Sequence, residues 1–171
     1  MLQSFFAALD AAPRRVLWFL FGACLSMLAF GLYLQISLDL VPCPMCIVQR
    51  YALIFVAIVA GLAGASSKKN IQLPMLVLLL GGAGFGAFVA ARQSWLQWFP
   101  PQIASCGRDF YGMIETFPLQ RAIPMIFKGS GDCIKVDWTF LGGSIANWSF
   151  VCFVLISLLA LRLLWRQVRR A

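Results

Sequence analysis

Cys43 and Cys46 are separated by two residues in the stretch DLVPCPMCIVQR, and Arg50 follows the second thiol by four positions. Thiols held this close can open and close a disulfide, and the thiolate is the reactive form. Pro44 biases Cys43 away from the helical region, whereas proline itself suits the first position of a helix. The pattern predicts a helix from about Pro44, with Cys43 just outside it and Cys46 in its first turn. There the helix N-terminus stabilises a thiolate. Arg50 falls one turn deeper on the same face, placed to stabilise negative charge that develops near Cys46. The competing role for Arg50 is an arginine that merely snorkels to an interface.

The other four cysteines divide into two kinds. Cys24 and Cys152 lie inside apolar runs, where a thiol behaves as a small hydrophobe. Cys106 and Cys133 lie outside such runs. Zinc sites built from cysteine alone need two close pairs, and only Cys43–Cys46 is close here. The chain has no histidine, which excludes Cys-x-x-Cys-His haem attachment and mixed Cys/His zinc sites, so no metal is expected. A Cys106–Cys133 bond would be a sensible staple, worth roughly 3–4 kcal/mol by the chain-entropy argument. A Cys43–Cys46 bond closes a two-residue spacer and constrains almost nothing, so its natural use is exchange.

These residues must be positioned by membrane helices. Hydrophobic residues make up 61% of the chain and charged ones 12%, with mean hydropathy +0.85, which is the composition of a membrane protein. The net charge of +8 comes in short clusters beside apolar runs, without the basic aromatic stripe of a nucleic-acid binder. Uncharged runs cover Val16–Leu38, Tyr51–Ser67, Ile71–Ala91 and Thr139–Leu161. A span takes about 20 helical residues, so the chain is read as one domain of four spans, approximately 16–38, 46–65, 71–91 and 143–163. The connections at about 39–45 and 92–142 then share one side. Arg14 and Arg15, Lys68 and Lys69, and Arg162, Arg166, Arg169 and Arg170 all fall on the other. The positive-inside rule makes that other side, with both termini, cytoplasmic. Cys43, Cys46, Cys106 and Cys133 therefore face the oxidising side, where disulfides persist. The stretch LFGAC faintly resembles a lipoprotein cleavage box, but Phe21 is a poor fit and the apolar run continues past Cys24, so the first segment reads as an uncleaved anchor.

Finer features follow from the same pass. GGAGFGAF places Gly82 and Gly86 four apart, which lets helices approach closely. WLQWFPPQ puts Trp95, Trp98 and Phe99 at an interfacial belt, with Pro100 and Pro101 ending the helix. In the long connection, Phe110, Met113, Ile114 and Phe117, then Ile123, Ile126 and Phe127, form short apolar faces suited to small helices lying on the membrane surface. No dinucleotide turn, haem ligation or iron–sulfur spacing is present. A thiolate at membrane depth can pass electrons to a lipid-soluble oxidant, and a quinone is the economical choice, with Arg50 polarising a carbonyl oxygen.

CPMCIVQR at the second span, WLQWFPPQIASC leading to Cys106 and SGDCIKVDWTFLG around Cys133, in that order and with four spans, resemble the disulfide-bond-formation protein B (DsbB) family. These are inner-membrane oxidoreductases of Gram-negative bacteria. The resemblance implies an all-α membrane protein, a four-transmembrane-helix bundle with both termini cytoplasmic and a long periplasmic loop between the third and fourth helices. It also implies a scheme. A reduced periplasmic thioredoxin-fold protein of the DsbA kind docks on that loop and attacks Cys106, the released Cys133 attacks Cys43, and Cys46 reacts with ubiquinone (or menaquinone), helped by Arg50. Two positions depart from the family pattern: Gln93 stands where many members carry a histidine, and Gln49 where a glutamate is common. An alternative is a vitamin-K-epoxide-reductase-like enzyme, whose Cys-x-x-Cys lies by resemblance on the last helix, unlike this one. A non-enzymatic four-span scaffold with inert disulfides is the other.

Overall fold

The structure, a computed structural model, describes residues 12–39, 43–100, 124, 134, 136 and 138–169. Four long helices make up most of it: α1 (Pro13–Ser37), α2 (Pro44–Ala65), α3 (Lys69–Trp98) and α4 (Ile145–Arg169). Each is long and apolar enough to cross a membrane, and the fold is the all-α, four-span bundle expected from the sequence.

The helix starts follow local chemistry. Pro13 and Pro44 sit in the first turns of α1 and α2, where a missing backbone N–H leaves no bond unmade. α3 continues past Ala91 through Arg92 to Trp98, so residues 92–98, assigned above to the outer connection, are helical. Freedom from charge measures how much chain lipid can surround; backbone hydrogen bonding carries on beyond it. Similarly, the uncharged run from Thr139 opens with a hairpin before α4 begins. Strands β1 (Thr139–Phe140) and β2 (Gly143–Ser144) pair antiparallel. Leu141 and Gly142 between them have φ of 50° and 79°, the two positive values that a tight two-residue hairpin turn requires.

Packing runs α1 against α2, α2 against α3 and α3 against α4. Among the described residues α1 and α4 share no comparable contact, which leaves the bundle open between its first and last helices. The core is built largely from small and branched side chains, including Cys24, Val56, Ala60, Leu79 and Ala83. Close approach of α3 and α4 occurs at Gly86, where a Cβ would run into the Phe153 ring, and of α3 and α2 at Gly82, where it would meet Phe55. Large apolar side chains such as Phe19, Ile36 and Leu155 point outward, as lipid-facing surfaces do.

Polar contacts identify the two ends of the bundle. Arg14 Nε donates to the Gly64 carbonyl at 3.0 Å, and Gln167 Nε2 to the Lys69 carbonyl at 3.4 Å. The start of α1, the α2–α3 turn and the end of α4 therefore share one end. The start of α2, the end of α3 and the hairpin share the other, and the cysteine pair is there.

Candidate active site

α2 begins at Pro44, as the prolines predict, and Cys43 is its N-cap in extended conformation, φ -67° and ψ 157°. The Cys46 backbone N–H donates to Cys43 Sγ at 3.2 Å. The sulfur outside the helix thus collects the donor at the helix N-terminus, a benefit the sequence analysis assigned to Cys46. The two Sγ atoms face each other at 2.6 Å. Cys43 is buried and Cys46 half-buried, so the pair is shielded but reachable.

Arg50 lies one turn deeper and is also half-buried. Its Nη2 donates to Gln35 Oε1 on α1 at 3.0 Å, which fixes the guanidinium. Gln35 carried no role in the sequence analysis.

The third contributor comes from α3. Gln93 is 3% exposed, and its Nε2 lies 3.2 Å from both Cys43 Sγ and Cys46 Sγ. Its Oε1 accepts from Gln49 Nε2 at 2.6 Å and stands farther from Cys46 Sγ, at 3.8 Å. Gln49 is itself buried, at 6% exposed. Sequence reasoning noted both glutamines only as departures from a family pattern. The usable signal was physical: a neutral polar side chain in a membrane-depth helix must find a partner or leave a costly unsatisfied group.

Cys43, Cys46, Gln49, Arg50 and Gln93 share the wall of one cavity of about 570 Å³. It occupies the opening between α1 and α4, with apolar walls from Leu34, Phe153 and Trp148 among others. The hairpin flanks it: Ser144 Oγ donates to Gln97 Oε1 at 2.6 Å, and Trp148 Nε1 donates to the Phe140 carbonyl at 2.9 Å. Arg50 is the one charged side chain among the described lining residues. Cys152, read as a small hydrophobe, also lines this cavity, whereas Cys24 is packed in the core. No cluster of three or more potential metal ligands occurs among the described residues. Cys106, Cys133 and the two short apolar faces of the long connection lie outside the described residues.

A quinone ring is flat and apolar with carbonyl oxygens at its edge. A largely apolar cavity with one fixed guanidinium and neutral amide donors beside a thiol pair fits that chemistry. Arg50 is the group that would hold a carbonyl oxygen, and Cys46 is the more exposed of the two thiols.

Four membrane-spanning helices that hold a Cys-x-x-Cys pair on the wall of a cavity at one end of the bundle fit a membrane protein of thiol–disulfide chemistry. Residues 13–163 match the model of the family described as "Disulfide bond formation protein DsbB". A relative from Albidiferax ferrireducens is 71% identical over 162 residues, covering 95% of this chain and 93% of the relative. Another from Polaromonas naphthalenivorans is 70% identical over 159 residues, 93% of this chain and 95% of the relative. A third, from Azoarcus sp., is 48% identical over 164 residues, 95% and 99% respectively. All three are named Disulfide bond formation protein B. The chain belongs to the DsbB family, whose members are inner-membrane proteins of disulfide bond formation, and its role is that of a disulfide oxidoreductase.

Proposed function

We propose that this protein is a quinone-dependent thiol oxidase that reoxidises a periplasmic, DsbA-like thioredoxin-fold protein. The observation that carries the reading is that the Cys43 and Cys46 sulfurs, 2.6 Å apart, line the same cavity of the bundle as Arg50. The end of the bundle that holds the pair faces the periplasm, and the end bearing Arg14, Lys68, Lys69, Arg162 and Arg166 faces the cytoplasm, by the positive-inside rule.

The chain's own thiols carry the exchange. A thiolate of the reduced partner attacks Cys106 of a Cys106–Cys133 disulfide, and Cys133 leaves as thiolate. The partner's second thiol displaces Cys106 and releases an oxidised partner. Cys133 attacks Cys43, the Cys43–Cys46 bond breaks, and Cys46 leaves as thiolate toward the cavity. Cys106 then closes on Cys133 and releases Cys43, so one disulfide's worth of electrons has moved inward. Attack at Cys43 suits its place outside the helix, and departure of Cys46 suits its place above Arg50, whose cation favours the emerging negative charge. Quinone, when bound, would supply the two-electron oxidation of the reduced pair. Arg50, held by Gln35, would hold and polarise its carbonyl oxygen, and the apolar walls would exclude water.

The test is reduction of ubiquinone by membranes containing the protein, given a reduced thioredoxin-fold partner. Wild type turns over, and Cys46→Ser falls to the quinone-only background. Cys106→Ser blocks entry of electrons and forms no mixed disulfide with the partner. Undiminished turnover in Cys46→Ser overturns the scheme.

A further inference from the structure

Two buried glutamines on neighbouring helices, Gln49 and Gln93, are hydrogen-bonded to each other, and Gln93 also reaches both reacting sulfurs. Gln93 has one amide nitrogen with two hydrogens, and that nitrogen is equidistant, at 3.2 Å, from the two sulfurs. Gln49 donates to the oxygen of the same amide at 2.6 Å. An amide has two orientations. One offers N–H to a sulfur, which suits a thiolate or a disulfide; the other offers C=O, which suits only a thiol. The bond from Gln49 favours the first, because it engages Oε1 at 2.6 Å, far closer than the 3.8 Å from that oxygen to Cys46 Sγ, and leaves Nε2 nearer both sulfurs. Both glutamines are buried, so water does not compete strongly for these donors and acceptors.

We infer that Gln93 is a catalytic residue, donating one amide hydrogen to each sulfur and holding the reduced pair toward its thiolate form. Gln49 is a positioning residue that sets the direction of that amide. The inference rests on the thiol-oxidase reading only in taking Cys43 and Cys46 as the reacting pair. Hydrogen bonds to the charged form of an acid favour that form, and a donor to a charged acceptor is worth about twice a neutral one. Among the described residues lining the cavity, the titratable or charged groups are Cys43, Cys46 and Arg50 on α2 and Cys152 on α4. α1 and α3 contribute the neutral Gln35, Gln93 and Gln97. The two sulfurs share one amide nitrogen, so the experiment reads the pair and not either thiol alone.

The experiment is the pH dependence of iodoacetamide alkylation of the reduced, full-length protein in detergent without quinone, with mass spectrometry assigning label to Cys43 or Cys46. Gln93→Leu, close in volume but without a donor, moves the profile up by about one pH unit and slows the first alkylation at neutral pH roughly tenfold. Gln49→Leu moves it by less in the wild-type background and adds nothing once Gln93 is leucine, because it acts through that amide. Gln72→Leu, a buried glutamine at the opposite end, leaves the profile unchanged. An unshifted profile in Gln93→Leu overturns the inference. Additive effects of the two substitutions overturn the positioning role of Gln49. The oxidase reading fails separately, through absent quinone reduction in the wild type, a result that leaves the alkylation profile interpretable.

Discussion

The two ends of the bundle use the same side chains for opposite purposes. At the basic end, Arg14 donates to the carbonyl oxygens of Gly64 and Ala65 at 3.0 and 3.5 Å, and Gln72 Nε2 to those of Ser66 and Ala63 at 2.7 and 3.4 Å. These are the orphan carbonyls at the C-terminus of α2, and the polar side chains there serve the backbone. At the cysteine end, Arg50 donates to a side chain, Gln35, and Gln93 donates to sulfurs. There the polar groups are held by one another and presented to a cavity. An arginine or glutamine at membrane depth is thus not functional by type. What separates the two ends is whether its donors end on backbone carbonyls or on side chains and sulfurs that line the cavity.

The sharpest way to break this comparison is to exchange the two arginines' fates. Arg50→Leu removes the one charged side chain among the described lining residues of the cavity. Loss of one preorganised donor to a developing charge typically costs about 10²–10³ in rate. A fall of roughly a hundredfold in quinone-coupled partner oxidation is expected, with the helical content retained. Arg50→Lys keeps the charge but loses the planar fork that Gln35 holds and recovers activity only partly. Turnover of Arg50→Leu close to wild type would place Arg50 with Arg14, as a structural cation.

How much of this was legible depends on the range of the interaction. The helix start at Pro44, the extended N-cap Cys43 and the shared face of Cys46 and Arg50 were all readable, because proline sterics and i+4 spacing act within a few residues. The Gly82–Gly86 spacing announced close packing, which the structure places against Phe55 and Phe153. The partners Gln35 of Arg50 and Gln93 of the sulfurs were not readable. They come from other helices, and their contacts depend on how each helix is rotated. Apolar periodicity normally reports rotation, but a membrane helix is apolar on nearly every face. The hairpin before α4 was hidden for another reason. Its turn is Leu141-Gly142 and lacks the Asn-Gly or Asp-Gly signal, so the sequence places residues 139–142 in the connection and Gly143 and Ser144 in the span, with no sign of paired strands.

Between the two ends lies the packing that separates them, and a substitution there should act on stability first. Gly86→Val puts side-chain atoms into the Phe153 ring, and overpacking of this kind costs about 1–3 kcal/mol. The expected result is a lower midpoint of thermal unfolding in detergent. Because Phe153 also lines the cavity, turnover should fall a few-fold as the ring shifts. Gly81→Val meets open space and should leave both measurements unchanged. A cost at Gly81 equal to that at Gly86 would mean that glycine matters here for backbone reasons and not for approach to α4.

The smallest expected effect belongs to Arg14, and it sharpens the comparison most cleanly because chemistry and stability should separate completely. Arg14 is exposed, and a cation at a helix C-terminus contributes about 0.3–1 kcal/mol under such conditions, less as salt rises. Arg14→Leu should therefore lower the unfolding midpoint slightly at low ionic strength, with the difference shrinking in concentrated salt. Quinone-coupled turnover and the alkylation profile of the cysteine pair should match wild type, since α2 carries the two sites at opposite ends, from Pro44 to Ala65. A shifted alkylation profile in Arg14→Leu would mean that α2 transmits a change from its C-terminus to its N-cap. The carbonyl-capping end could then no longer be treated as independent of the sulfur-holding one.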